Sequence, residues 1–249
     1  MIDDPLHRPV VLVYHAVGDV GSPDDPRMLV TAPRRLEAHV RVLLRRGYRF
    51  LTAEELLDEA GGREPPPRTA VLTFDDGWLD GLTVAAPLLR RLGIRATFYL
   101  CPGRFGGEDE NVRGSSGRLL DANAARELLD QGMELGSHTM SHPDLRKLDD
   151  GRLVRELVDS KEAIEGLTGA RCRTFAYPFG LFDDRVERAV EAAGYELALT
   201  WQPGPWRRLA TPRLPAPARH GALWLSLTLL GVRRRWSPPP LPSPPEGSR

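Results

Sequence analysis

The stretch AVLTFDDGWLD, Ala70–Asp80, runs an apolar segment straight into two adjacent carboxylates and a glycine. Bounded this way, the run reads as a buried strand that stops at a turn. Successive side chains of a strand point to opposite faces, so Asp75 and Asp76 can share one site only where the strand ends, and Gly77 supplies the break. Two carboxylates this close repel, and one of them takes up a proton unless a cation or a proton-transfer task holds the pair together. The plain alternative is a turn in which one aspartate caps the next helix, so partners elsewhere in the chain have to decide.

Working outward, short β-rich runs alternate with helical patterns. PVVLVYHAV, RTAVLTF, RATFYLC, MELGSH and CRTFAYPFG read as strands, interleaved with helices in PRRLEAHVRVLLRRG, TVAAPLLRRLG, ANAARELLDQG, GRLVRELVDSKEAIEGLTG and DDRVERAVEAAG. Repeated βα units predict an α/β fold around a parallel sheet and allow a barrel. The chain has 249 residues, 41% of them hydrophobic, which suits one main domain. That domain is expected over residues 1–232. The segment 233–249, which includes WSPPPLPSPPEGSR, reads as a Pro-rich tail that packs no core.

Charge is balanced at 34 basic and 34 acidic residues, which gives no electrostatic case for a nucleic-acid partner. Cys101 and Cys172 are too few for a disulfide framework. The start, MIDDPLHRPVVLVYHAV, lacks a basic region leading into a long apolar run, so a cytoplasmic location is expected, with a secreted or envelope location as the alternative. GALWLSLTLLGV is shorter than the roughly 18 residues a transmembrane helix needs and is expected to be the last helix over the barrel. With Arg233, Arg234 and Arg235 behind it, weak membrane-surface contact is the second reading for that segment.

The partners of the two aspartates are in ELGSHTMSHPDL. On a helical turn, His138 and His142 would sit about 5–6 Å apart at Cβ and could share one metal ion. Pro143 disfavours the α conformation at His142, so a turn or a short helix end is expected. Two imidazoles and one carboxylate suit zinc or a similar divalent ion. One aspartate would then be tied to the metal, and its neighbour would be free as a general base.

TFDDG, SHTMSH and FAYPFG, in this order and at these separations, resemble the polysaccharide deacetylase family with a NodB-type domain, the carbohydrate esterase family 4 group. The likeness runs from about Val10 to about Thr200 and includes VLVYH and ATFYL. It implies a distorted (β/α) barrel and metal-dependent removal of acetyl groups from N-acetylated sugars, with zinc, cobalt or another divalent ion. It implies Asp75 as the catalytic base and Asp76, His138 and His142 as the metal ligands. It further implies Tyr177 and Phe179 as walls of the sugar site, with the Phe179 backbone N–H helping to hold the oxyanion. Ordinary strand packing is the alternative for both aromatics.

The sequence departs from the family pattern in two places. Many members carry an arginine two residues before the Pro-aromatic-Gly, where it pairs with the base, and here that residue is Ala176. Arg173 falls on the opposite face of the strand and is a poor substitute, so support for Asp75 from elsewhere is expected. The family's usual acid, a late histidine after Leu-x, has no match. His220 is a weak candidate, and His15, at the end of the first strand, is an outside one. His39 reads as a helix residue packed among Leu36, Val40 and Leu43. Trp201 and Trp206 could stack on a sugar or pack the core. Alternatives to the sugar deacetylase are a hydrolase of a non-sugar amide on the same fold and a catalytically impaired glycan-binding domain.

Overall fold

The computed structural model describes residues 9–18, 25, 28–109, 117–216 and 222–229. In chain order the elements are β1 (Val10–Tyr14), β2 (Ala16–Val17), β3 (Val30–Thr31), α1 (Pro33–Arg45), β4 (Arg49–Leu51), α2 (Ala53–Ala60) and β5 (Thr69–Phe74). A π-helical turn, Gly81–Ala85, leads into α3 (Ala86–Arg91), followed by β6 (Thr97–Leu100), α4 (Ala122–Asp130), β7 (Glu134–Ser137) and α5 (Asp150–Thr168). Then come β8 (Thr174–Ala176), α6 (Asp184–Ala192), β9 (Leu197–Thr200), β10 (Thr211–Pro212), β11 (Leu214–Pro215) and α7 (Ala222–Leu229). The tail 233–249 and His220 lie outside the described residues.

Helix starts are marked by side-chain caps. Asp121, Asp149 and Asp183 each accept a hydrogen bond from the backbone N–H three residues on. Thr52 and Glu55 form a reciprocal capping box at the start of α2.

The main sheet runs in the order β10-β9-β8-β7-β6-β5-β1-β11, with β4 also on β5, and its ladders are parallel. Its two ends belong to one short segment. Residues 211–212 pair with β9 and residues 214–215 with β1, while the Arg213 amide donates to Thr200 O and the Ala216 amide to Val13 O. That segment closes the sheet into a (β/α) barrel, as the sequence predicts.

Alternation along the buried strands sorts two cores. Val11, Val71, Tyr99, Ala176, Leu197 and Leu199 point inward, where Leu51 and the α2 residues Ala53, Leu56 and Leu57 join them. The α2 amides reach the first residues of β6 and β7, with Ala53 N–H donating to Thr97 Oγ1 and Glu54 N–H to the Glu134 carboxylate. This helix therefore plugs the amino-terminal mouth of the barrel. Leu12, Tyr14, Leu72, Phe74, Phe98, Leu135 and Phe175 point outward against the helices. Each such fully buried side chain contributes about 1.5–3 kcal/mol of transfer free energy. α7 lies against α1 with Leu225 and Leu229 buried, as expected for a last covering helix. Among the described residues no helix is long and apolar enough to cross a membrane.

Candidate active site

With the amino-terminal mouth plugged, the carboxyl ends of the strands are left to build a site. Asp75 follows β5, His138 follows β7, the Tyr177–Gly180 turn follows β8, His15 follows β1 and Trp201 follows β9.

Asp75 continues the inward alternation of Val71 and Thr73. Asp76 would face outward, but its φ of 71°, followed by 77° at Gly77, turns the chain back so that both carboxylates enter one space. The break predicted at Gly77 therefore begins one residue earlier, in a left-handed conformation that aspartate tolerates better than most residues.

His138 and His142 converge as the sequence predicts, though not on a helical turn. Residues 138–142 form a loop in which Thr139 (φ 70°) and His142 (φ 64°) are left-handed. His138 Nδ1 lies 2.7 Å from Ala176 O; a carbonyl only accepts, so Nδ1 is the donor and Nε2 is the nitrogen turned toward the cluster. Burial pushes the His142 imidazole down to about 4, so it is neutral near pH 7.

The fit to a metal rests on Asp76. Its Oδ2 accepts from Trp78 Nε1 at 3.3 Å, whereas its buried Oδ1 has no hydrogen-bond partner. That orphaned oxygen lies 3.5 Å from His138 Nε2 and 3.3 Å from His142 Nε2, and the three ligand atoms lie within 4.8 Å of one another. Ligands about 2.1 Å from one tetrahedral ion stand about 3.4 Å apart. An isolated buried carboxylate oxygen is costly, and a shared divalent cation satisfies it. Burial would raise the Asp76 carboxyl, but the neighbouring His142, His138 and His15 outweigh it, and its pKa falls well below the usual value.

The partner of Asp75 is a residue the sequence reading did not single out. Arg213, the middle residue of the barrel-closing segment, reaches inward and donates from both terminal nitrogens to Asp75 at 2.7 and 2.8 Å, and to Thr73 Oγ1 at 3.1 Å. Neither side chain of the pair is more than 1% exposed. Burial favours the protonated acid, but the Arg213 guanidinium, aided by His138 and His15, lowers the Asp75 pKa below its ordinary value and keeps it ionised. Arg213 thus supplies the charge that the family arginine would have brought to Ala176. Arg173 is engaged elsewhere, with Glu196 and Asp58, as its outward direction predicts.

Other expected site residues divide. Phe179, itself left-handed at φ 59°, sets its ring 4.6 Å from that of His142 and borders the cluster. Tyr177 does not. It is fully buried, stacks on Phe182 and donates its hydroxyl hydrogen to Leu209 O, so the expectation that its ring walls a sugar site is corrected to core packing. Trp201 meets His15 edge-on at 5.3 Å, and Trp206 packs on the inner core instead. His15 is half-buried and close enough for its charge to lower both aspartates. His39 is buried on α1 beside the Tyr14 hydroxyl, as expected of a packed helix residue.

The family profile for polysaccharide deacetylase matches residues 62–198, more than half of the chain. The chain belongs to the polysaccharide deacetylase family. YxkH of Bacillus subtilis is 27% identical over 203 residues, covering 81% of this chain and 67% of the relative. The peptidoglycan-N-acetylglucosamine deacetylase PgdA of Listeria monocytogenes is 24% identical over 180 residues, 71% of this chain, which spans 36% of the length of PgdA. Among solved structures, a polysaccharide deacetylase from Bacillus cereus superposes with a TM-score of 0.74 at 26% identity, over 89% of this chain and 69% of its own. The Streptococcus pyogenes deacetylase PplD, in complex with acetate, gives 0.77 at 24% identity over 89% and 98%, a likeness of fold.

Proposed function

We propose that this polysaccharide deacetylase family member is a divalent-metal-dependent N-deacetylase acting on an N-acetylated amino sugar. The observation that carries the reading is an ionised, arginine-paired Asp75 beside three converging ligands, Asp76, His138 and His142, one of which exposes an unpaired buried oxygen. When bound, a zinc or similar ion supplies Lewis-acid polarisation of the acetyl carbonyl and makes water a stronger acid.

The chain's own groups do the rest. Asp75 takes a proton from the water that attacks the acetyl carbon. The Phe179 backbone N–H is the protein's donor to the developing oxyanion. Collapse of the tetrahedral intermediate breaks the C–N bond, and the departing amine takes a proton from His15, giving acetate and a free amino sugar. His15 is favoured as acid because it is at the carboxyl end of β1 and within electrostatic reach of both aspartates.

Two grounds for a catalytically impaired glycan-binding domain were the small residue at Ala176 and the missing late acid. Arg213 beside Asp75 and His15 at the end of β1 speak against both. The N-acetylglucosamine named for PgdA supports that sugar as the acetyl carrier. The test is acetate release from N-acetylglucosamine oligomers by metal-stripped protein with and without zinc or cobalt, alongside Asp75→Asn. Release that needs metal and is lost in Asp75→Asn is the expected result. Zinc binding without release from any N-acetylated oligomer would overturn the sugar reading in favour of a non-sugar amide.

A further inference from the structure

The His138–His142 loop carries two of the three proposed metal ligands in a conformation that ordinary residues avoid, with Thr139 and His142 both left-handed. Something must hold it there. Inside the loop, Thr139 Oγ1 accepts the His142 N–H at 2.9 Å. At its base, the His138 N–H donates to Leu100 O. The tip is held from outside on two sides. Gly103 N–H donates to Met140 O at 2.9 Å, and a Cβ at Gly103 would stand 2.7 Å from that same oxygen, so only glycine allows the approach. On the other side Glu156, from the second turn of α5, accepts the Met140 N–H at 2.8 Å, the Ser141 N–H at 2.9 Å and the Ser141 hydroxyl at 2.6 Å.

Every backbone N–H from Met140 to His142 therefore has a protein partner, and two of the three go to one carboxylate. We infer that Glu156 is a positioning residue that presets the His138 and His142 imidazoles for the ion, so that it governs metal affinity without being a ligand. The inference rests on the metal-dependent reading above. Two N–H groups aimed at a single acceptor lock the loop's curvature, and that curvature brings His142 Nε2 to the free Asp76 oxygen. Without the carboxylate, the two amides turn to water, the strained loop relaxes, and the ion has to reorder it on binding.

The clamp works through acceptor geometry, not charge. Glutamine at this position can accept both amide hydrogens through Oε1 and donate through Nε2 to the Ser141 hydroxyl oxygen, so Glu156→Gln should behave as the parent does. Glu156→Ala should not.

The experiment measures zinc affinity of the full chain by competition with a chromophoric chelator, together with the visible spectrum of the cobalt(II) form and the melting temperature of the metal-free protein. Glu156→Ala is expected to bind zinc about 10–100-fold more weakly and to show an altered cobalt spectrum, while Glu156→Gln stays within about threefold of the parent. If the alanine variant does not fold, Glu156→Asp, which withdraws the acceptor by one methylene, carries the same expectation. A loss of melting temperature with parental zinc affinity would make Glu156 merely structural and overturn the inference. Equal weakening in the glutamine and alanine variants would overturn it in favour of charge. A parent chain that binds neither zinc nor cobalt would overturn the metal reading and this inference with it.

Discussion

Replacing Arg213 by methionine keeps an unbranched apolar stem and removes the charged head, leaving Asp75 buried without its partner. Two charge centres about 4 Å apart interact by about 4 kcal/mol at an effective dielectric of about 20. In the parent that interaction offsets burial and holds the carboxyl below its ordinary value. Once it is gone, burial acts against only the weaker opposition of His138 and His15, and the pKa should rise. A protonated Asp75 cannot accept the proton of water, so the acid limb of the kcat/KM profile moves to higher pH. The assay is acetate release from N-acetylglucosamine oligomers by the zinc-loaded protein across pH. Arg213→Lys, which keeps the charge but loses the two-pronged geometry, should shift the limb less. Removing one member of a buried pair costs about 3–5 kcal/mol of stability, so each variant's melting temperature is recorded first. A folded, zinc-loaded Arg213→Met whose acid limb stays within about half a unit of the parent's would refute the assignment of Arg213 as the partner that keeps Asp75 ionised.

Three further outcomes are expected. His15→Gln should lower kcat by about 10²–10⁴-fold and leave zinc affinity unchanged; a parental kcat would exclude it as the acid. Tyr177→Phe should leave KM unchanged and cost about 1–3 kcal/mol of stability in chemical denaturation, because it strands the Leu209 carbonyl that the hydroxyl now satisfies; a raised KM would restore Tyr177 to the sugar site. Burial pushes the Asp80 carboxyl up to about 7, with Oδ1 accepting from the Val17 amide and Oδ2 unpaired. The folded chain thus holds a proton there that the unfolded chain releases near 3.9, and stability falls as pH rises from about 4 to 7. Asp80→Asn should remove that loss, gaining at most about 4 kcal/mol at pH 8 and nothing below pH 4, and a gain independent of pH in urea titrations would contradict the account.

How much of this was legible in the sequence depended on whether a signal was local. The proposed ligands and base were, because each pair lies within a few residues and ends a recognisable strand. α2 is legible too, through the T-x-x-E box at Thr52 and Glu55 and the glycine at Gly61 that ends it, but its role appears only once a barrel mouth needs a plug. Tyr177 could have been placed by parity alone. If Ala176 faces into the barrel, its neighbour faces out. Arg213 had no such signal. It lies between Pro212 and Leu214 in a segment too short and proline-rich to show a period, and its partner is 138 residues away. Only closure of the barrel brings the two together.

The same contrast explains why Ala176 misled. A motif records which residue stands at one place in the chain, but what the base needs is a cation at one place in space. From the inside of a closed barrel that place can be reached from more than one strand. Here the β8 position is small and gives its backbone carbonyl to His138, while the closing segment sends an arginine across the inner core, over the Tyr99 ring, to the carboxylate. Strain follows the same logic. Asp76, Thr139, His142 and Phe179 are four of the six left-handed non-glycine residues among those described. A conformation of that kind costs of order 1–3 kcal/mol and persists only where surrounding contacts over-determine it. Around Asp76 and the His138–His142 loop those contacts are the Thr139–His142 bond within the motif and the hydrogen bonds from Trp78, Glu156 and Gly103, three residues outside it. The proposed ligands could therefore be read from the sequence, but most of what holds them in position could be read only from the fold.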